Sequence, residues 1–427
     1  MKDNRFKTYY EDLVDSGTRL PDRFVVEEKQ HFYSTIVYDA QLDQRFTALN
    51  LASNDFFCFT ENPRQREAAK AAIDRLGASN SGAHALNGRS IYHEELEAQI
   101  ARLKGLPYSH LFLNAWMAIS GYLNSYCHFG PTLPEFDLKK EIHIFADTLC
   151  HACLMSAANN CVRPLGRKAP PSPRIHFHLF RHLDAKDLKK RIERYCQTED
   201  RILVLTDSVF SMDADIAPLP EYVEVLSHYE NATLFIDEAH ATGMLGEHGR
   251  GLLEHFQLSP EEIAAKGVDL VIMTTFSKFA GSAGAAISSF HKEVPEVLNF
   301  TPTSIGTISL SPPLCAATSE SIRILLEEPD LVRRLKRNAG TLRNRLEAEG
   351  FEVLGDSAVI PIVLPEGIHP QIYARKLLHE HGIWVSPVWY VSKPRIRIVA
   401  NSELTEAHID HFMNAMVSVR ESLTVAV

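Results

Sequence analysis

The chain has 427 residues, 45% of them hydrophobic, and its 44 basic and 54 acidic residues give a net charge of −10. This length predicts a large domain with a smaller one, because domains commonly hold roughly 100–200 residues. No run of Lys and Arg is present, which argues against nucleic acid and anionic membrane partners. Without an apolar stretch of membrane-spanning length or a secretory signal, the chain is expected in the cytoplasm.

Seven cysteines are scattered over the chain, and an odd count of this kind predicts reduced thiols rather than a disulfide framework. The segment from Cys150 to Cys153, Cys-His-Ala-Cys, resembles a metal or redox motif. No second cysteine pair stands at zinc-ligand spacing, so these thiols are expected to be buried as small apolar residues. The sequence therefore predicts no metal site.

Helix and strand patterns alternate from about residue 94 onward. The predicted helix Glu94–Leu103 has an apolar face, and apolar runs typical of buried strands follow near residues 111–113, 142–145, 202–205, 234–237 and 270–273. This alternation predicts a mostly parallel sheet covered by helices. The stretch 163–173, rich in proline and basic residues, is expected to be a surface loop.

The pattern changes after about residue 315. A long amphipathic helix over Leu331–Leu346 precedes predicted strands near 359–364 and 395–399 and predicted helices near 372–380 and 406–416. The first fifty residues show no clear period. We therefore expect an N-terminal arm (1–50), a large domain (51–314) and a small C-terminal α+β domain (315–427).

Two short motifs carry the chemistry. Asp237-Glu-Ala-His240 and Thr274-Thr-Phe-Ser-Lys278 each follow an apolar run that reads as a buried parallel strand. Ligands of open α/β sheets bind at the C-terminal ends of such strands. A carboxylate there can face a pyridinium nitrogen and a lysine amine can form a Schiff base, which together predict pyridoxal phosphate (PLP). A helicase-type ATPase is disfavoured because the chain has no phosphate-binding Gly-x-x-x-x-Gly-Lys-Ser/Thr loop.

The pattern Asp-Glu-Ala-His-x-x-Gly-x-x-Gly-x-x-Gly-Arg-Gly from Asp237, followed by Thr-x-x-Lys ending at Lys278, resembles the α-oxoamine synthases. The resemblance runs from roughly residue 48 to 415. It implies an α/β fold of PLP fold-type I, with a mostly parallel seven-stranded sheet and a smaller C-terminal α+β domain. It also implies PLP as cofactor, a homodimer, and the condensation of an amino acid with an acyl-CoA or acyl-carrier thioester, with loss of carbon dioxide.

The resemblance assigns roles to single residues. Lys278 would hold PLP and act as the base, Asp237 would pair with the ring nitrogen, and His240 would contact the ring oxygen. His151, in Asp147-Thr-Leu-Cys-His151-Ala, would stack on the ring. The remaining cofactor contacts implied are Ala115, Trp116, Ser211, Thr275 and, toward a partner subunit, Ser309.

Two further positions concern the substrates. Arg395 resembles the arginine that binds the substrate α-carboxylate as a bidentate fork, although strand alternation puts Arg395 and Arg397 on the same face. His84 stands where many relatives have an arginine, and Asp207 replaces a more common glutamate. These departures fall near expected substrate contacts and leave both substrates open.

Three functions share these motifs. An 8-amino-7-oxononanoate synthase-like enzyme is favoured, and a signalling-aminoketone or sphingoid-type synthase of the same family is an alternative. A fold-type I aminotransferase would share Lys278 and Asp237, but the glycine-rich segment after His240 favours a synthase. A non-catalytic subunit is disfavoured because such subunits typically lack the lysine.

Overall fold

A computed structural model of the chain describes residues 24–128, 140–162 and 174–424. The expected surface loop at 163–173 lies outside these residues. The strands are β1 (Phe24–His31), β2 (Ser34–Asp39), β3 (Gln44–Asn50), β4 (Tyr108–Phe112), β5 (Ile142–Asp147), β6 (Ile175–Phe180), β7 (Arg201–Asp207), β8 (Ala232–Asp237), β9 (Asp269–Thr275), β10 (Ala285–Ser289), β11 (Glu352–Val353), β12 (Val359–Val363), β13 (Ile383–Trp384), β14 (Ser386–Val388) and β15 (Arg395–Val399).

The helices cover the sheet and follow the strands in alternation. They are α1 (Pro63–Leu76), α2 (Ile91–Lys104), α3 (Ala115–His128), α4 (Ala152–Val162), α5 (Ala185–Tyr195), α6 (Leu219–Leu226), α7 (Leu252–His255), α8 (Pro260–Ala265), α9 (Glu293–Leu298), α10 (Pro302–Ile305), α11 (Pro312–Glu327), α12 (Asp330–Ala348), α13 (Pro370–His381) and α14 (Glu406–Thr424). Each helix predicted from the sequence overlaps one of these: α2, α12, α13 or α14. None of the described helices combines the length and apolarity that crossing a membrane requires.

A seven-stranded sheet forms the centre of the larger compact unit, in the order β4-β10-β9-β8-β7-β5-β6. The strands β6, β5, β7, β8 and β9 run parallel, and β10 is antiparallel to both of its neighbours. Every residue of β8 is buried, as expected for a central strand covered by helices on both faces. The predicted mostly parallel seven-stranded sheet is therefore confirmed.

Two strands of this sheet, β6 and β10, were not predicted from the sequence. In β6 histidines alternate with apolar residues, and in β10 the run Ala-Ala-Ile-Ser-Ser follows a glycine-containing turn. Neither segment is a continuous apolar run of the kind that marks a buried parallel strand. Pairing with the neighbouring strands, rather than local composition, places them in the sheet.

The chain forms two compact units. Of the described residues, the larger holds those within 53–363 and 397–406, and the smaller holds 24–52, 364–396 and 407–424. The return of residues 397–406 to the larger unit rests on hydrogen bonds within that unit, such as Asn338 Nδ2 to the carbonyl of Asn401 at 3.0 Å. The three domains expected from the sequence are each one continuous segment of the chain, whereas the two compact units are not. The boundaries of those three domains stay a prediction.

The smaller unit contains strands that the sequence did not predict, among them β1, β2, β3 and β13. β1, β2 and β3 pair antiparallel, and β13 adds parallel to β3. Most of β1 is exposed, which explains why residues 24–31 show no hydrophobic period. Within the same unit, Tyr373 on α13 donates a hydrogen bond to the carbonyl of Met416 on α14 at 2.5 Å.

The glycine-rich segment after His240 forms turns, as the sequence predicts. Gly251 has φ +110°, and a Cβ at this position would lie 2.1 Å from the Glu238 carboxylate. Only glycine avoids both the strained backbone and this clash. The segment is thereby folded back against the end of β8.

Candidate active site

A cavity of about 220 Å³ lies in the larger unit, where the C-terminal ends of β7, β8 and β9 meet the N-terminal ends of α3 and α4. Parallel strands place their carboxyl ends at one edge of the sheet, which is where open α/β sheets bind ligands. Most of the side chains predicted to contact the cofactor line this cavity. The lining residues are Ala115, His151, Cys153, Asp207, Val209, Ser211, Asp237, Ala239, His240, Thr275, Ser277 and Lys278.

Asp237 supplies a buried carboxylate at the end of β8. The amide of Ala239 donates to its Oδ1 at 2.9 Å, and the amide and hydroxyl of Ser208 donate to its main-chain carbonyl at 2.8 and 2.7 Å. Burial raises the pKa of Asp237, while the nearby Lys278 ammonium lowers it. A carboxylate held in this way favours a cationic partner.

Lys278 lies just beyond β9 and its amine is buried. Burial lowers the pKa of Lys278 from 10.5 to about 8, the Asp237 carboxylate opposes this shift, and Arg397 adds to it. A lysine with this pKa is neutral far more often near neutral pH than an ordinary lysine, although most of it is still protonated. It is therefore suited to act as a nucleophile and as a base.

His151 precedes α4 and is held in place by its backbone and by its ring. The amide of His151 donates to the two carboxylate oxygens of Asp207 at 3.3 and 3.2 Å. Its Nδ1 accepts the amide hydrogen of Cys153 at 3.3 Å and lies 2.8 Å from the Cys153 sulfur. Burial lowers the pKa of His151, so the ring is neutral at physiological pH, and its occupied Nδ1 leaves the proton on Nε2.

His240 is buried against the same cavity. Among the described residues, its Nδ1 has no hydrogen-bond partner. Burial moves the pKa of His240 well below its ordinary value, and the Lys278 charge adds to the effect. A buried polar atom without a partner is costly, and His240 lines a cavity in which a ligand could supply that partner.

The cavity also contains groups suited to a phosphate. Ala115 is the first residue of α3, and Asn114 caps this helix by accepting the Met117 amide hydrogen at 2.9 Å. The amides at a helix N-terminus attract an anion. Thr275 Oγ1 lies 3.1 Å from Ser277 Oγ, which places two hydroxyls at the end of β9. The side chain of Trp116 is half exposed and does not line the cavity, and the contact predicted for its main-chain amide stays a prediction.

Ser211 lines the cavity and its carbonyl accepts a hydrogen bond from Arg397 Nη1 at 3.0 Å. Arg397 belongs to the larger unit, whereas Arg395 belongs to the smaller one. Arg395 is buried, and its Nε donates to the carbonyl of Lys393 at 2.8 Å. The role predicted for Arg395 stays a prediction.

The cavity lining lacks four predicted site residues, Trp116, Arg395, Ser309 and His84, and the last two have contacts elsewhere in the chain. Ser309 donates to the carbonyl of Gly88 at 2.7 Å, and its amide donates to the carbonyl of Gly82 at 2.8 Å. His84 is buried, and its Nε2 lies 3.2 Å from Glu97 Oε1. Within this chain, both side chains are occupied by contacts with their own surroundings.

The site predicted from the sequence omits Arg397 and five residues that line the cavity, which are Cys153, Asp207, Val209, Ala239 and Ser277. Cys153 and Val209 line the cavity, and Arg397 bonds to the carbonyl of Ser211. Cys153 lies two residues after His151 at the start of α4. Its place in the His151 motif could therefore have predicted that it lies near the cavity. The sequence indicates Arg397 less clearly, because strand alternation puts it on the same face as Arg395 and does not distinguish the two.

The fold and this site define a fold-type I PLP-dependent transferase. The model of the family described as aminotransferase class I and II matches residues 168–416. Solved structures of serine palmitoyltransferase are similar along nearly the whole chain. The enzyme from Sphingomonas wittichii is 26% identical with a TM-score of 0.81, and the match covers 99% of this chain and 98% of that one. A structure of serine palmitoyltransferase with PLP bound as an internal aldimine is 25% identical, with a TM-score of 0.83 and the same coverage.

Curated relatives show which family of PLP-dependent transferases the chain belongs to. The 8-amino-7-oxononanoate synthase of Methylococcus capsulatus is 31% identical over 86% of this chain and 88% of its own length. A putative 8-amino-7-oxononanoate synthase 2 of Bacillus velezensis is 30% identical over 88% of this chain and 89% of its own. The chain belongs to the α-oxoamine synthase family of PLP-dependent enzymes, and the resemblance found in the sequence is confirmed.

Proposed function

We propose that this enzyme uses PLP to condense an amino acid with an acyl-CoA or acyl-carrier thioester, with loss of carbon dioxide, in the manner of an 8-amino-7-oxononanoate synthase. One observation carries the proposal: the buried Lys278 amine and the buried Asp237 carboxylate line the same cavity as two neutral imidazoles. The curated relatives that share most of the chain support a synthase over an aminotransferase.

The residues present fit PLP. The Asp237 carboxylate matches a protonated ring nitrogen, the partnerless Nδ1 of His240 matches a ring oxygen, and the Lys278 amine matches the aldehyde carbon. The helix N-terminus at Ala115 and the Thr275 hydroxyl match the phosphate. When bound, PLP supplies an electron sink for the carbanion that forms at the substrate Cα.

Each protein group then has a defined task. Lys278 Nζ, lowered in pKa by burial, accepts the proton from the substrate Cα and returns a proton later. Asp237, fixed by the Ala239 amide, keeps a cationic ring nitrogen charged. His151, held by Asp207 and Cys153, lines the cavity and is proposed to stack on the cofactor ring, while Arg395 is proposed to bind the substrate carboxylate.

Absorbance spectroscopy of the purified enzyme, followed by product analysis, tests the proposal. The enzyme is expected to show a PLP band that borohydride removes, with the reduced label on Lys278. Lys278→Ala should lose the label and lower turnover about 100- to 10,000-fold, the range expected for general acid–base catalysis. Lys266→Ala, at an exposed lysine, is the matched control.

Mass spectrometry of reactions with a panel of amino acids and acyl thioesters distinguishes the functions. A condensation product, with release of carbon dioxide and free thiol, supports the synthase. Release of a keto acid without a new carbon–carbon bond would instead identify an aminotransferase. The homodimer and the cytoplasmic location expected from the sequence stay predictions, and sedimentation equilibrium tests the first.

A further inference from the structure

A cluster of histidines and carboxylates lies at the edge of the main sheet opposite the active site. His143 on β5 pairs in parallel register with His176 on β6, and Glu141 directly precedes β5. The two imidazole rings stack with centroids 4.7 Å apart. Asp147 ends the same strand β5, so the edge cluster of Glu141, His143 and His176 lies at the opposite end of β5 from the cavity.

The ligand atoms of the edge cluster converge. His176 Nε2 lies 2.9 Å from Glu141 Oε2, and His143 Nε2 lies 3.6 Å from the same oxygen. One ligand atom from each residue lies within 4.8 Å of the other two. Both Nε2 atoms are buried, and although carboxylate oxygens of the described residues lie near them, neither contact has the geometry of a hydrogen bond. His143 is 3% exposed, so water does not compensate for its unsatisfied nitrogen.

A bound cation accounts for this arrangement. A tetrahedral ion with bonds of about 2.0–2.1 Å to nitrogen and oxygen separates its ligand atoms by about 3.3 Å. The two separations of 2.9 and 3.6 Å lie on either side of that value. Asp200 Oδ2, 3.4 Å from His143 Nε2, adds a second carboxylate beside the cluster. These groups are the nitrogen and oxygen donors that zinc accepts.

The surroundings of His143 also match a metal ligand. Its Nδ1 lies 3.1 Å from His178 Nε2, which fixes the ring through the nitrogen that faces away from the cluster. Metal-bound histidines commonly hold their second nitrogen in this way.

A second group of possible ligands, His84, Glu97 and His110, is less suitable. The Arg89 guanidinium binds Glu97 Oε2 at 2.6 Å and cancels the charge that would attract a cation. His110 Nε2 is already within 3.0 Å of Ser304 Oγ. At the edge cluster, by contrast, no such guanidinium bond to Glu141 is found among the described residues.

We propose that Glu141, His143 and His176 bind one divalent transition-metal ion of the zinc class. The ion would join β5 to β6, which is the edge strand of the sheet, and would therefore stabilise the fold without entering the reaction. The sequence predicted no metal because the ligands are split between two strands. Only the parallel register of β5 and β6 brings them together.

Zinc titration of the metal-stripped, PLP-loaded enzyme by isothermal calorimetry tests the proposal. We expect one tight Zn²⁺ site per chain and a higher melting temperature when it is filled. Removing a residue that only hydrogen-bonds to a metal ligand typically weakens metal binding about 10- to 100-fold. Because Glu141 and His176 are proposed to be ligands themselves, Glu141→Gln and His176→Gln should each weaken zinc binding at least tenfold. The PLP absorbance band should stay unchanged. His228→Gln, at an exposed histidine, is the matched control.

Two results would overturn the proposal. One is the absence of stoichiometric zinc binding to the unsubstituted enzyme. The other is binding that survives both Glu141→Gln and His176→Gln, including binding that disappears only in His84→Gln and so belongs to the other cluster. Because Glu141 is exposed, Glu141→Gln is expected to fold normally, and its PLP band serves as the check on folding.

Discussion

Asp207 and Asp237 stand opposite each other at the C-terminal ends of the adjacent parallel strands β7 and β8. Burial raises the pKa of both carboxyls, and the proximity of Asp237 adds to the shift of Asp207. Both side chains line the cavity, but they have different tasks: Asp207 accepts the His151 amide hydrogen, whereas Asp237 accepts that of Ala239 and acts more strongly on Lys278. This separation of tasks gives the first prediction.

Asp237→Asn should lower kcat/KM about 100- to 1,000-fold, the range found when a preorganised electrostatic group is removed from an active site. Asp207→Asn should cost about tenfold or less, because an amide oxygen can still accept the His151 amide hydrogen. Steady-state kinetics of the two isosteric variants provide the comparison. Equal losses would show that Asp207 has a direct part in the reaction.

The lowered pKa of Lys278 predicts how PLP uptake depends on pH. Only the neutral amine attacks the aldehyde, so the rate of uptake by the apoenzyme should rise with pH and level off above about pH 8. An ordinary lysine would instead become faster up to about pH 10.5. Because the Asp237 carboxylate raises the pKa of Lys278, Asp237→Asn should move the plateau to lower pH. Stopped-flow absorbance measures these rates, and a profile still rising at pH 10 would contradict the assigned environment.

Arg395 and Arg397 can be separated by two different readouts. If Arg395 binds the substrate carboxylate, Arg395→Lys should raise the amino acid KM roughly 10- to 100-fold, since hydrogen bonds to charged groups contribute about 1.5–3 kcal/mol. Arg397 lowers the pKa of Lys278, so Arg397→Gln should move the plateau of PLP uptake to higher pH. A large rise in KM for Arg397→Lys, with little change for Arg395→Lys, would transfer the carboxylate-binding role to Arg397.

A buried ion pair between Lys104 and Glu238 holds the segment that follows Asp237. Lys104 Nζ bonds to Glu238 Oε2, to Thr242 Oγ1 at 2.5 Å and to the carbonyl of Arg250 at 2.9 Å. Both charged side chains are 1% exposed. Removing one partner leaves an uncompensated buried charge, so Lys104→Met should lower the free energy of unfolding by roughly 3–5 kcal/mol.

Urea denaturation measures this loss. Lys70→Met, which removes an exposed pair with Glu67, is the control and should change the midpoint little. The double variant Lys104→Met with Glu238→Leu should be more stable than the sum of the single losses predicts, because no lone buried charge remains. Additive losses in the double variant would contradict the proposed coupling.

The sequence by itself determined five strands of the main sheet, the family and the centre of the site. The apolar runs before Asp237 and Lys278 are local signals, and motifs at strand ends converge because parallel strands share one C-terminal edge. That rule places Asp237, His240, Thr275 and Lys278 together without any further information.

Only the tertiary structure decided the features that depend on pairing between distant segments. β6 and β10 joined the sheet through their neighbours, β1–β3 formed a sheet whose first strand is largely exposed, and residues 397–406 returned to the larger unit. The same holds for the contact of Arg397 with Ser211 and for the meeting of His143 with His176. These residues meet because of strand register and contacts between segments that are distant in the sequence. A local sequence pattern contains no information about either.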